Sequence, residues 1–190
     1  MPNLDDTLMN RRTVYKFLDQ TVSKENITKA ITAAAQAPCH KHTHPWKFYV
    51  LGEKAKLSLT PVIERLAYNK SQKLGSKNFE QDRKRALSKL INKPLVIVVT
   101  SKLTPEDKFR EKEDYAATVC ALHNLVLSFW SDGIGSQWST GSITRDMETY
   151  SILGIDSDKE EIIGFVKCGY PQNIPHVKKK PVDEIIHFLD

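Results

Sequence analysis

At 190 residues the chain is long enough for one sizeable core, and 40% hydrophobic with 27% charged residues is an ordinary globular balance. A net charge of +5 invites a nucleic-acid reading, but the basic residues are spread out, and Glu80 and Asp82 interrupt the densest group from Lys70 to Lys93, as on a solvated face. No run approaches the roughly eighteen apolar residues of a membrane helix, the first residues lack a secretory pattern, and Cys39, Cys120 and Cys168 at unrelated spacings point to free thiols, so a cytoplasmic protein engaging neither nucleic acid nor membrane is expected.

In chain order, Leu4 to Asn10 carries Leu4, Leu8 and Met9 at helical spacing and ends at Arg11-Arg12. Ser23-Lys24-Glu25-Asn26 opens a second helix to Ala37, whose alanines permit close packing and which Pro38 closes. Lys47 to Leu51 reads as a strand and Lys54 to Asn69 as an amphipathic helix. Lys70 to Asn78 is polar and turn-rich, a mobile connection or a lid, and helical spacing resumes from Phe79 to Ile91. The apolar run Pro94 to Thr100 has the length of a strand covered on both faces, which places it at the centre of a sheet.

Glu113 to Ser131 is the longest helical pattern and is apolar nearly all round. Such a helix is buried in a large core or between subunits, and in a chain of this size a dimer is expected. Ile134 to Trp138 reads as a strand, Ile143 to Leu153 as a helix and Glu161 to Cys168 as a strand. A basic tail and a short segment from Val182 to Leu189 follow. The order gives an α+β or three-layer α/β/α protein. Cys120 and Cys168, inside apolar periodic segments, are expected as packed thiols, and His123 as a satisfied structural histidine. Gly133-Ile134-Gly135-Ser136-Gln137-Trp138 lacks the third glycine of a dinucleotide fingerprint.

The stretch Ala37-Pro38-Cys39-His40-Lys41-His42-Thr43-His44-Pro45-Trp46 concentrates chemistry. Cys39, His40, His42 and His44 could ligate zinc or copper, but ligands along one extended loop converge poorly on a tetrahedral centre and no second Cys/His cluster closes the set. A metal-binding protein stays open as an alternative, as does a binding protein without cofactor.

Arg11-Arg12-Thr13 with Phe17, Ala37-Pro38 up to Pro45-Trp46-Lys47-Phe48, Asp114-Tyr115-Ala116-Ala117 through Trp138-Ser139-Thr140-Gly141, Ile162 to Pro171, and Lys178-Lys179-Lys180-Pro181 occur in this order. Together they resemble the nitroreductase family of flavin enzymes. The resemblance implies a single domain over 1–190 with a mostly antiparallel central sheet flanked by helices. It also implies an entwined homodimer in which the basic extension 172–190 packs on the partner subunit. It implies FMN at the subunit interface, reduced by NADH or NADPH and reoxidised by a small acceptor such as a nitroaromatic or quinone. The mechanism would be ping-pong hydride transfer through flavin N5, with no catalytic side chain. Relatives that use FMN for dehalogenation or desaturation share the fold.

By the same resemblance Arg11 and Lys179 match phosphate ligands, each bond adding about 1.5 to 3 kcal/mol. Arg12 and Thr13 match positions near the pyrimidine edge and the ribityl or phosphate region, where a cation on the N1 and O2 side favours the anionic reduced flavin. Trp138, Ser139, Thr140 and Gly141 match the turn at the N5 edge, with a backbone N–H of Thr140 or Gly141 as donor. His40 and His44 could bond the ring or phosphate, with a pH dependence in the histidine range. Tyr15 stands where the family commonly has a second basic residue, and Cys39, His42 and His44 replace its Ser, Asn and Gln.

Overall fold

A computed structural model describes residues 3–189. Helix α1 (Leu4–Asn10) is capped by the Asn3 side chain, which accepts from Asp6 N at 2.8 Å, and Asp5 and Asp6 complement the positive end of its dipole. In α2 (Lys24–Ala34) Ser23 caps through Asn26 N. The helix stops three residues before the expected Ala37.

Strands β1 (Trp46–Val50), β2 (Leu95–Lys102), β3 (Gly135–Ser139) and β4 (Glu160–Gly169) form one antiparallel sheet in the order β1-β2-β4-β3. The run expected at the centre, β2, is paired on both sides and buried along nearly its whole length. Helices α2 and α6 (Lys108–Ser131) pack on one face around Ile97, Val99 and Phe129. The other face carries α3 (Glu53–Ser58), α4 (Thr60–Lys73), α5 (Phe79–Ser88) and α7 (Met147–Leu153), around Leu59, Val96, Val98 and Phe165.

A bulge in β4 shifts the register from Val99–Gly164 to Thr100–Ile162. The extra residue puts Ile162 and Phe165 into the same core, although a regular strand would point them to opposite faces. It also leaves Gly164 under Trp138: a Cβ there would stand 2.1 Å from Nε1, so only glycine admits the indole.

Four expectations are corrected. The helix from Lys54 to Asn69 is two helices broken at Leu59, because Pro61 cannot sit inside a helix and instead starts α4. The segment Lys70 to Asn78 is helical as far as Lys73, and the connection to α5 is only 74–78; Ser71 holds the pair together by donating to Asp82 at 2.8 Å. The stretch from Ile143 splits into a 3-10 turn (Ser142–Arg145) and α7. Cys120, expected as a packed thiol, is exposed on the single chain together with Tyr115, Ala116 and His123 of α6, whereas Cys168 is fully buried and burial pushes its pKa up.

Candidate functional site

The chain leaves α1 at Arg11 and crosses the end of the sheet. Thr13 makes a parallel bridge to Ser136, Val14 N donates to Ser136 O at 2.9 Å, and Phe17 bridges Pro171. Gly135 permits this crossing, since a Cβ there would stand 2.5 Å from a Val14 methyl. Segment 11–17 thereby lies against the edge strand β3, whose far end runs into Thr140 and Gly141.

Arg11 is partly buried, and desolvation followed by the neighbouring Arg12 lowers its pKa. Among the described residues its guanidinium has no acidic partner, while Arg12 donates through Nη1 to Met9 O and Arg11 O, both at 2.8 Å. Arg11 is thus the cation of the pair without an acidic partner among the described residues, and Arg12 is partly spent on closing α1. His123, which faces the same place from α6, has its pKa lowered by desolvation and by Arg11.

Two site side chains are likewise committed. Trp138 Nε1 donates to Ile163 O at 3.1 Å and Ser139 Oγ to Phe165 O at 3.3 Å, so both brace β3 against β4. Thr140 is exposed, and Gly141 O accepts from Thr144 N and Oγ1, which turns the chain away. Tyr15 is 58% exposed, and its carbonyl accepts from Lys93 Nζ at 3.1 Å.

The loop after Pro38 bonds to α6. His40 Nδ1 is 2.9 Å from Glu113 Oε1, and Thr43 Oγ1 donates to buried Asp114 at 2.6 Å. Lys41, His42 and His44 all adopt positive φ, a conformation usually left to glycine. Cys39 Sγ lies 3.8 Å from His44 Nδ1, and the His44 ring meets Trp46 edge-on. With His40 turned to Glu113, no three His, Cys, Asp or Glu groups among the described residues are placed to hold a metal ion.

Lys179 is exposed on the single chain. Gln172 N donates to Lys16 O at 3.0 Å, but from Lys178 onward every described tail residue is exposed, and the contacts of this tail are internal, Ile185 N and Ile186 N to Val182 O and Lys180 to Glu184. Sequence reasoning missed Lys93, Glu113 and Lys167. Only Lys167 left a signal, as the one charged residue in the apolar run from Ile162 to Cys168.

The model of the nitroreductase family matches residues 8–170. The chain belongs to the nitroreductase family. It is 31% identical over 179 residues to a Bacillus subtilis relative named "Putative NAD(P)H nitroreductase YfhC", covering 93% of this chain and 89% of that one. A nitroreductase-like family protein from Bacillus cereus superposes with a TM-score of 0.81 at 25% identity, over 100% of this chain and 97% of the other. An iodotyrosine deiodinase bound to FMN and 3-iodo-L-tyrosine superposes with a TM-score of 0.77 at 22% identity, over 99% of this chain and 100% of its own, a likeness of fold. Among the described residues no helix is long and apolar enough to cross a membrane.

Proposed function

We propose that this nitroreductase-family chain is a cytoplasmic, homodimeric FMN oxidoreductase, reduced by NADH or NADPH and reoxidised by a nitroaromatic, quinone or similar small acceptor. The observation that carries the reading is Arg11, a partly buried guanidinium without an acid among the described residues, beside the backbone that ties Thr13 to β3. Its chemistry suits a phosphate dianion, which takes charge-assisted bonds that a neutral ligand cannot. Bound FMN supplies the two-electron chemistry, and the chain binds and orients it.

Arg11 holds the phosphate, with Thr13 as a second donor and Lys179 arriving on the tail. Arg12 contributes its remaining N–H groups near the ribityl chain. Trp138 and Ser139 stiffen the turn from behind, which leaves the backbone N–H of Thr140 or Gly141 to face the N5 edge. His40 and His44 line the cofactor from the 39–44 loop, and Tyr15 covers the pyrimidine end in place of a basic residue.

Dimerisation is supported by what the single chain leaves uncovered. Leu4, Leu8 and Met9 of α1 and Tyr115 of α6 are exposed, and the tail displays Ile185, Phe188 at 86% and Leu189 at 94% exposure. A tail this apolar needs a surface, and residues 172–190 find it on the partner subunit.

The test is the visible spectrum of the purified protein, with FMN quantified after heat release. About one FMN per chain, bleached by NADH or NADPH without air, supports the reading, and a colourless protein that binds no added FMN overturns it. Parallel initial-rate lines with varied acceptor support ping-pong kinetics, and intersecting lines exclude them. The match to iodotyrosine deiodinase of Hydra vulgaris, 27% identical over 95% of this chain, favours reductive dehalogenation as a second reading, checked by halide release from haloaromatics.

A further inference from the structure

Asp114 of α6 is 1% exposed, and among the described residues its carboxyl has one hydrogen-bond donor, Thr43 Oγ1 at 2.6 Å. The second oxygen, Oδ2, is fully enclosed and has no hydrogen-bond partner among them. A buried oxygen without a donor costs the fold free energy, so the stability of α6 alone does not account for this carboxyl. Its one partner lies in the 39–44 loop. The carboxyl also stands on firm ground: Thr118 Oγ1 donates to Asp114 O at 2.8 Å and lies 3.1 Å from Ser101 Oγ of β2, both hydroxyl residues being buried.

The loop needs such an anchor. Thr43 has right-handed backbone geometry, φ −67° and ψ −27°, between His42 and His44 at positive φ, so the hand of the chain reverses on either side of it. Residues other than glycine hold that conformation only where their surroundings impose it. With Thr43 turned in to α6, His42 and His44 stay exposed, their ring centres 6.2 Å apart. The loop's other ties to α6 are outer ones. His40 pairs with Glu113 at 2.9 Å and Arg110 Nη1 donates to His40 O at 3.3 Å, but the His40 side chain is 57% exposed, and water and salt screen such a pair.

We propose that Asp114 is a positioning residue: through Thr43 it locks the 39–44 loop in the conformation that presents His42 and His44 to the cofactor. The lock stands on the chain alone, and its bearing on the cofactor rests on the FMN reading above. A cofactor that meets only the locked loop favours that state in return, so FMN and loop opening oppose each other.

Limited trypsin digestion of the apo protein, with fragments quantified by mass spectrometry, reads opening as the cut after exposed Lys41, and circular dichroism reads folding. Thr43→Val is expected to speed this cut about tenfold, while Thr43→Ser, which keeps the hydroxyl, stays near wild type and Glu113→Gln changes it less than about threefold. Asp114→Ala removes the unpaired oxygen together with the acceptor, so it tests the lock even where Thr43→Val does not fold, and it is expected to open the loop as far. Folded Thr43→Val or Asp114→Ala with the wild-type cut rate overturns the proposal, as does an equal opening by Glu113→Gln. Saturating FMN is expected to slow the cut in wild type and in both variants. A chain that binds FMN with no protection at Lys41 overturns the lock's bearing on the cofactor. A chain that binds no FMN overturns the FMN reading itself, and the apo cut rates still decide the lock.

Discussion

The two ends of β4 treat a buried charge in opposite ways. Glu160 and Lys167 are each 7% exposed. Glu160 accepts from Thr100 Oγ1 at 2.6 Å and Tyr49 OH at 2.9 Å and pairs with Lys47. Burial pushes its carboxyl up, but these bonds outweigh burial and hold it below the ordinary glutamate range, while burial and Glu160 push Tyr49 up to about 12. Lys167 has no acidic partner among the described residues, and burial followed by Lys93 and Lys89 brings it down to about 8. A buried charge whose bonds are all made belongs to the fold, whereas the ammonium of Lys167, not fully enclosed, has no such set of partners among the described residues.

That contrast can be broken first at its satisfied end. Glu160→Ala leaves Lys47, Tyr49 and Thr100 without their acceptor and is expected to cost about 3 kcal/mol in urea unfolding while leaving any FMN midpoint potential unchanged. Next, Arg11→Met should weaken FMN binding about 10- to 100-fold with little change in apo stability, read by fluorescence titration. At the open end, Lys167→Met should stabilise the apo protein by roughly 2 kcal/mol near pH 7. Because the folded pKa of Lys167 lies below the ordinary value of 10.5, the unfolded chain binds more protons between about 8 and 10.5. Wild-type apo stability therefore gains over that of Lys167→Met as pH rises through this window, and the gap closes by its upper end. A gap that stays constant would mean that Lys167 has a partner. Smallest of all, Lys159→Ala removes an exposed pair with Asp156 just before β4 and should not move the urea midpoint.

The strands were legible because β2 and β4 are continuous apolar runs, and α1 because its cap and its stop at the arginine pair are local. Pro61 carried the break before α4, a signal that an amphipathic pattern from Lys54 to Asn69 conceals. The lid-like stretch from Lys70 had no Gly or Pro before Gly75, and the helix runs on for that reason. Motif order singled out Arg11 and the turn after Trp138, but not what their side chains bond to within the chain. Whether a tryptophan braces a strand or faces a ligand depends on the bulge at Gly164, and the pairs His40–Glu113 and Thr43–Asp114 join residues more than seventy positions apart. Nor does sequence betray three non-glycine residues at positive φ in the 41–44 loop, since tertiary bonds to α6 impose that conformation.

Trp138 has a practical use that follows from how it is held. Its indole is pinned to Ile163 O and wedged on Gly164, yet it remains 40% exposed beside the turn. A rigid emitter next to a yellow acceptor should pass its excitation on efficiently, so ultraviolet fluorescence becomes a built-in gauge of how many sites are filled. Trp46, edge-on to His44 at 5.6 Å between ring centres, adds a second channel.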